Sequence, residues 1–186
     1  MKRWQQSLYV CVLTMIGLAA CSVEERDSRC PALIGGGRYC LQPSTAVTPF
    51  DARQKVEIRF RGRQETMIIE VEADAAGIRL VGLTPFGQTL LRLNDDNVKT
   101  TATLPHNSRL PAELMVALLQ VALWPGDVLR DGLVSPMRLE EVYGQRRIVN
   151  RDKVAVTINY TGNQLPYRRI QMYIHSEDVE IDVETL

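Results

Sequence analysis

Apolar and polar side chains alternate along the chain from residue 54 to the region of Pro105. A period of two is typical of a strand, because successive side chains point to opposite faces of a sheet. The pattern therefore predicts antiparallel strands with one apolar and one charged face. The apolar members of the first two runs are Val56, Ile58, Phe60, Met67, Ile69 and Val71.

Two further apolar runs, at 78–81 and 89–93, are bounded by Gly77 and by a Pro-Phe-Gly turn at 85–87. The Asn-Asp-Asp-Asn run at 94–97 has the composition of a hairpin turn. It lacks the later ligands that a calcium loop requires. This half of the chain therefore predicts an antiparallel meander.

Residues 111–123, PAELMVALLQVAL, break the alternation. The segment has no β-branched run and begins with proline, which favours a helix starting at Pro111. Its apolar side chains cover most of the circumference, so the helix must be buried on several sides. It is too short to span a bilayer. Trp-Pro-Gly at 124–126 ends it, and a short helical turn is predicted over 127–133.

Alternation then resumes to the end of the sequence. A hairpin around Gly144 is predicted, followed by strands near 153–160, 169–174 and 178–184. Strands on both sides of one apolar helix predict a mainly β fold. In it, a single curved antiparallel sheet forms a half-open barrel that the helix covers.

The first 20 residues have the layout of a secretory signal. Lys2 and Arg3 precede an apolar stretch at 8–20, and Leu-Ala-Ala stands directly before Cys21. Small residues followed by cysteine are recognised by the lipoprotein-processing pathway, so lipid is predicted on Cys21. Each buried methylene contributes about 0.8 kcal/mol, which makes several acyl chains a stable anchor. The alternative is an ordinary signal peptide with an incidental cysteine.

Ser22 bears on the destination of such a lipoprotein. It is not the aspartate that typically retains lipoproteins at the inner membrane, so the periplasmic face of the outer membrane is predicted. Exposure at the cell surface stays open as an alternative. The predicted organisation is a signal peptide at 1–20, a lipidated tether at 21–29 and one domain at 30–186.

Charge and cysteine content narrow the function. Removal of residues 1–20 leaves 20 basic and 22 acidic side chains, which gives no electrostatic footprint for nucleic acid. Cys30 and Cys40 are the cysteines left over, and a pair in an oxidising compartment predicts a disulfide. A metal site is disfavoured because His106 and His175 are remote in sequence.

Catalysis has little support in the sequence. No G-x-S-x-G, no H-E-x-x-H and no Cys-His arrangement with a free thiol occurs. The His-Ser-Glu-Asp run at 175–178 would place neighbouring side chains on opposite faces of a strand, so His175 is interpreted as a strand-end surface residue. The arginine pairs at 146–147 and 168–169 are interpreted as solvated, with an acidic lipid head group as the alternative. No enzyme activity and no cofactor are expected.

Three motifs resemble a family of bacterial lipoproteins that is commonly encoded beside aryl polyene (polyunsaturated aryl carboxylic lipid) synthesis enzymes. They are Cys-Pro…Gly-Arg-Tyr-Cys-Leu at 30–41, Leu-Val-Gly-Leu-Thr-Pro-Phe-Gly-Gln at 80–88, and Leu…Leu-Leu-Gln…Leu-Trp-Pro at 114–125. The resemblance runs over nearly all of the predicted mature chain.

The chain is also similar, more distantly, to the outer-membrane lipoprotein receptor LolB and to the carrier LolA. This resemblance implies a half-closed barrel that holds acyl chains, and it identifies 30–186 as a LolB-like lipid-binding domain. LolB carries a protruding apolar residue in a Leu-Thr-x-Pro-Leu-Gly loop. The Leu-Thr-Pro-Phe-Gly run at 83–87 fits that loop with one residue fewer, which implies a membrane-inserting role for Phe86. The paired cysteines are not a LolB feature.

The leading hypothesis is an outer-membrane lipoprotein that binds, receives or inserts an acyl or aryl polyene-type cargo. Its expected partners are that cargo, the membrane and envelope transport proteins. The alternative is an assembly scaffold that binds a protein, with a lipid hydrolase or transferase third. A carrier predicts a cavity beneath helix 111–124, and a scaffold predicts a filled core. Whether the helix is a fixed core element or a movable lid stays open. The expected lipid or membrane contacts are Leu83, Phe86, Leu114, Leu118 and Trp124.

Overall fold

The computed structural model describes residues 29–33, 35–105 and 110–186. The predicted signal peptide, Cys21 and the tether up to residue 28 lie outside the described residues. In the part of the chain that is described, no helix is long and apolar enough to cross a membrane.

Ten strands form one antiparallel sheet, in the order β5-β4-β3-β2-β1-β10-β9-β8-β7-β6. The last strand therefore pairs with the first in the middle of the sheet, from Phe60 opposite Val179 to Gln54 opposite Thr185. The two edge strands, β5 and β6, are not neighbours in this order, so the sheet does not close. The strands are β1 Phe50–Phe60, β2 Arg63–Asp74, β3 Gly77–Leu83, β4 Thr89–Asp95, β5 Thr100–Thr103, β6 Met137–Val142, β7 Gln145–Asn150, β8 Lys153–Thr161, β9 Arg169–Ile174 and β10 Val179–Thr185.

Two α-helices interrupt the strands between β5 and β6. Helix α1 spans Ala112–Leu123 and helix α2 spans Gly126–Gly132, with a proline at the N-cap of each. A short 3-10 helix, Ser44–Ala46, precedes β1. The predicted half-open antiparallel sheet and its covering helix are confirmed.

The predicted turn at 94–97 is wrong in its position. Asn94 and Asp95 belong to β4, and the turn that follows contains Asp96, whose carboxylate accepts hydrogen bonds from the backbone N–H groups of Val98 (2.9 Å) and Lys99 (2.7 Å). Strand β5 was not predicted because its Thr-Thr-Ala-Thr sequence has no apolar alternation. Its pairing with β4 is what makes it a strand.

The sheet has two ends with different turns. The Phe86 end carries the turns β1–β2, β3–β4, β7–β8 and β9–β10. The Arg29 end carries the turns β2–β3, β4–β5 and β6–β7 and the loop β8–β9. Arg29 lies there because its guanidinium pairs with the carboxylate of Asp95, at the end of β4.

Residues 29–33 and 35–41 belong to the folded domain. Leu41 N–H donates to Arg29 O (2.8 Å), Tyr39 N–H to Pro31 O (3.2 Å) and Cys40 N–H to Gly132 O (2.7 Å). Cys30 and Cys40 form the expected disulfide. Arg29, the last residue of the predicted tether, is the counter-charge of the fully buried Asp95.

Candidate functional site

An apolar groove of about 780 Å³ lies under helix α1 and opens at the Phe86 end. Sites that bury a small-molecule ligand have volumes of about 300–1,000 Å³. The groove was predicted only as a cavity beneath the helix, and most of its residues were not singled out. Its lining consists of Ala32, Leu33, Gly35, Ile58, Phe60, Arg61, Arg63, Glu65, Leu110, Leu118, Ile174, Glu177, Val179 and Ile181.

The strand register explains why the groove floor is apolar. Ile58 pairs with Ile181, and Phe60 pairs with Val179, across the β1–β10 junction. Paired residues point to the same face of a sheet, so these four side chains form one continuous apolar surface. All four stay only partly buried, whereas Val56, the next residue on the same face of β1, is buried.

Charged side chains stand where the groove opens. On β2 the apolar alternation ends, and Glu65 and Arg63 occupy the next positions on the same face, opposite Ile58 and Phe60. Arg61 places its guanidinium 4.7 Å from the centre of the Phe60 ring. Glu177 completes this mouth. Within the described residues, none of these four charged groups has an ion-pair partner, so the mouth is polar and the floor apolar.

The C-terminal half of α1 is held to the rest of the domain by buried polar contacts. Arg146 Nη1 donates to Val121 O (2.7 Å), and Tyr160 Oη donates to Ala122 O (2.8 Å). Trp124 N–H closes the last turn on Gln120 O (2.8 Å), and the Trp124 indole N–H donates to Pro43 O (3.3 Å). These bonds satisfy carbonyl groups that a helix end otherwise leaves without partners.

Gln120 makes the central polar contact of α1. Its Oε1 accepts from Tyr39 Oη (3.1 Å) and from the backbone N–H of Gln42 (2.9 Å), and its Nε2 donates to Gln42 O (2.7 Å). Gln120 and Tyr39 are fully buried. Burial raises the pKa of the Tyr39 and Tyr160 phenols well above their usual range, so both stay protonated as donors.

Arg146 corrects the interpretation of the first arginine pair. It was expected to be solvated, but it is buried on the concave face. Its Nε and Nη2 donate to Glu141 Oε1 (3.1 and 2.9 Å), and its guanidinium lies 5.6 Å from the centre of the Tyr160 ring. The charge pattern of the sequence does not reveal that Arg146 is buried, because the carboxylate and the helix carbonyl that it contacts belong to other elements. In the second pair, Arg169 forms an ion pair with Asp182.

The part of α1 that precedes Gln120 is held differently. Leu114 and Val116 are buried, while Leu118 is partly buried and lines the groove. The N-cap residue, Pro111, makes no side-chain capping bond, and no buried polar side chain ties this part to the sheet in the described residues. Apolar packing alone therefore holds the part of the helix that roofs the groove.

The five expected contact residues divide sharply by exposure. Phe86 is 93% exposed, in a turn closed by Gly87 N–H to Thr84 O (2.9 Å). Leu118 lines the groove, whereas Leu83 is partly buried outside it and Leu114 is buried. Trp124 is fully buried against the 30–50 segment, so it does not face the groove in this conformation.

The described residues offer little for catalysis. No three His, Cys, Asp or Glu side chains among them are placed to hold a metal ion. His175 is exposed just beyond β9, as expected, and its Nε2 lies 2.8 Å from Thr157 Oγ1. A second recess of about 480 Å³ lies near the β6–β7 turn and is lined by tyrosines and polar side chains, including Tyr160 and Tyr167. The apolar groove is larger and is the candidate site.

Residues 51–186 match a family described as "Protein of unknown function (DUF3261)". The chain belongs to this family. The match covers every strand from the second residue of β1 to the end of β10, together with both helices. It includes the groove floor and the Phe86 turn, and it excludes the disulfide segment.

A comparison with curated proteins finds no match. Among solved structures, the chain is similar to one described as "Crystal structure of putative outer membrane lipoprotein-sorting protein domain from Vibrio parahaemolyticus". The two share 7% sequence identity with a TM-score of 0.40, over 73% of this chain and 82% of that chain. Similarity at this level supports no statement about function.

The substitution Gln120→Leu is expected to lower the unfolding free energy by about 3 kcal/mol. An unpaired buried polar group costs about 1–3 kcal/mol, and several buried polar groups lose Gln120 as their partner. Urea unfolding followed by Trp124 fluorescence measures this change. Gln88→Leu, at an exposed position, is the matched control and should change the unfolding free energy by less than about 0.5 kcal/mol. Equal unfolding free energies of the two variants would contradict the role of Gln120 in holding α1 in place.

Proposed function

We propose that this protein binds the apolar chain of an amphiphilic lipid in the groove under α1, as a non-enzymatic carrier or receptor. The observation that supports this most directly is the groove itself, with apolar strands as its floor, Leu118 as part of its roof and charged groups at its mouth. An amphiphile has a matching arrangement, with an apolar chain at one end and a polar head group at the other. Its chain would lie on the floor and its head group would remain at the mouth.

The free energy available in the groove is sufficient for specific binding. Each buried methylene contributes about 0.8 kcal/mol. About ten methylenes would therefore contribute about 8 kcal/mol, before the entropic cost of association is subtracted. Unpaired Arg63 and Glu65 at the mouth can each form a charge-assisted hydrogen bond with a head group, which adds selectivity.

Helix α1 acts as a lid in this proposal. Polar contacts hold its last turn, from Gln120 to its C-terminus, and only apolar packing holds the turns before it, which carry Leu114 and Leu118. Apolar contacts with the sheet can be exchanged for apolar contacts with a lipid chain at little cost, whereas buried hydrogen bonds cannot. Opening would therefore begin at the N-terminal half.

Phe86 supplies the contact with the membrane or complex that delivers or receives the lipid. It is an almost fully exposed aromatic residue at the same end of the sheet as the groove mouth. Folding does not require a large apolar side chain there, so a role in contact is the economical explanation.

Lipidation of Cys21 after removal of residues 1–20 would hold the domain at the outer membrane, facing the periplasm. An aryl polyene-type lipid is one candidate cargo, since its long planar chain suits a narrow apolar groove. The alternative, a scaffold that binds a protein through the same fold, predicts a filled core beneath the helix. The groove favours the carrier over the scaffold.

Filling the groove should weaken lipid binding. Val179→Trp places an indole on the groove floor and removes room for several methylenes, so the Kd for a fluorescent fatty acid should rise at least about tenfold. Val81→Trp is the matched control, because Val81 lies on the outer face of β3. Equal Kd values for the two variants, or no saturable binding to the native protein, would overturn the proposal.

Phe86→Glu should slow transfer of the fluorescent lipid from donor vesicles, because an ionised carboxylate does not enter an apolar interface. The equilibrium Kd should stay unchanged, since Phe86 does not line the groove. Gln88→Glu adds the same charge to the same exposed turn and is the control. If both variants transfer lipid at the native rate, Phe86 has no contact role.

A further inference from the structure

Four of the five most exposed large apolar side chains in the described residues lie at one end of the sheet. Of the seven that are exposed in the described residues, Val98 (71% exposed), Val142 (70%), Tyr143 (96%) and Leu186 (66%) lie at the Arg29 end. Val98 is in the β4–β5 turn, Val142 and Tyr143 are at the β6–β7 turn, and Leu186 follows β10. Phe86 is at the opposite end. None of these four has a packing role that requires its size.

The strand register places these tips at different positions along their strands. One row of paired residues crosses the sheet. It begins where Gly144 lies opposite Tyr160 and continues through Ile170 and Val183 to Met67. When this row is continued to β4, the β4–β5 turn lies about eight residues farther from the Phe86 end. This corresponds to a stagger of about one residue per strand. Strands tilted by about 36° in a barrel have the same stagger. Strands tilted by this angle would bring the turns of the Arg29 end into one rim.

The chain enters the domain at the same rim. Arg29 is fixed there by its ion pair with Asp95. Eight residues separate Arg29 from Cys21, so a lipid on Cys21 lies within about 28 Å of Arg29 along even a fully extended chain. Strand β2 alone, with twelve residues, is about 40 Å long. This reach is shorter than β2, and it allows the Arg29 end to lie against the bilayer that holds the anchor.

We propose that Val98, Val142, Tyr143 and Leu186 form a membrane-docking rim that dips into the bilayer carrying the Cys21 lipid. The proposal rests on the proposed lipidation and deepens the proposed function. It orients the groove mouth and Phe86 away from the anchoring membrane, so the lipid is exchanged on the side that faces away from it.

The chemistry of the rim fits the interface of a bilayer. Tyrosine has an apolar ring and a polar hydroxyl and is enriched at membrane–water interfaces. Exposed Lys99 and Arg168 lie at the same end and can reach lipid phosphates. The backbone N–H groups of Val98 and Lys99 are already bonded to the Asp96 carboxylate, so inserting this tip strips water from fewer unpaired donors.

Fluorescence quenching in vesicles tests the orientation on the full-length lipidated protein. Val98→Cys, Tyr143→Cys and Phe86→Cys are each labelled with bimane and reconstituted in phosphatidylethanolamine–phosphatidylglycerol vesicles that carry nitroxide lipids. Bimane at 98 and at 143 should lose most of its emission, and bimane at 86 should keep its emission. All three positions are exposed turn residues, so folding is not at risk.

Each of the other outcomes contradicts a particular part of the proposal. Quenching of bimane at position 86 alone would show that the Phe86 end, and not the Arg29 end, faces the bilayer. A spectral change at 143 without nitroxide dependence would show that a protein, and not a bilayer, covers the rim. Vesicle flotation without quenching at either tip would overturn the rim and leave the anchor intact, whereas failure to float would overturn the anchor and the rim together. Loss of fatty-acid binding would overturn the carrier function without altering the quenching.

Discussion

The length of helix α1 sets the limit on how much of the concave face can be covered. Twelve residues of helix span about 18 Å, while the central strands, of eleven and twelve residues, extend about 36–40 Å. The curved sheet presents apolar side chains along most of this length, so a helix of this size buries one part and leaves the other open. The groove lies where this cover ends, beside Leu118, and its apolar floor is only partly buried.

Buried polar contacts decide which part stays open. Gln120, Arg146 and Tyr160 hold the C-terminal half of α1 over the region nearer the Arg29 end. These contacts work only in this position, because each one satisfies a particular carbonyl or amide group and moving the helix would leave that group unpaired. The helix is thus fixed at one end and packed only by apolar residues at the other. The groove opens at the Phe86 end, away from the part of α1 that these contacts hold.

The strands other than β5, helix α1 and the disulfide could be predicted because their signals are local: a period of two, a proline before an apolar run, and one remaining cysteine pair. The groove could not be located, because its floor depends on β1 pairing with β10, whose residues lie more than a hundred positions apart. Arg146 was misassigned for the same reason, since its partners on α1 and β6 are distant in sequence. Phe86 could be found because a large aromatic residue in a Pro-Phe-Gly turn is unusual in itself.

Mass spectrometry of the protein purified without detergent tests most directly whether the groove holds lipid. A carrier with this groove should copurify with an amphiphile that has one long apolar chain, in near-stoichiometric amount, and an excess of added fatty acid should displace it. Finding no bound amphiphile in the native protein, together with no uptake of added fatty acid, would contradict the role of the groove as a lipid site.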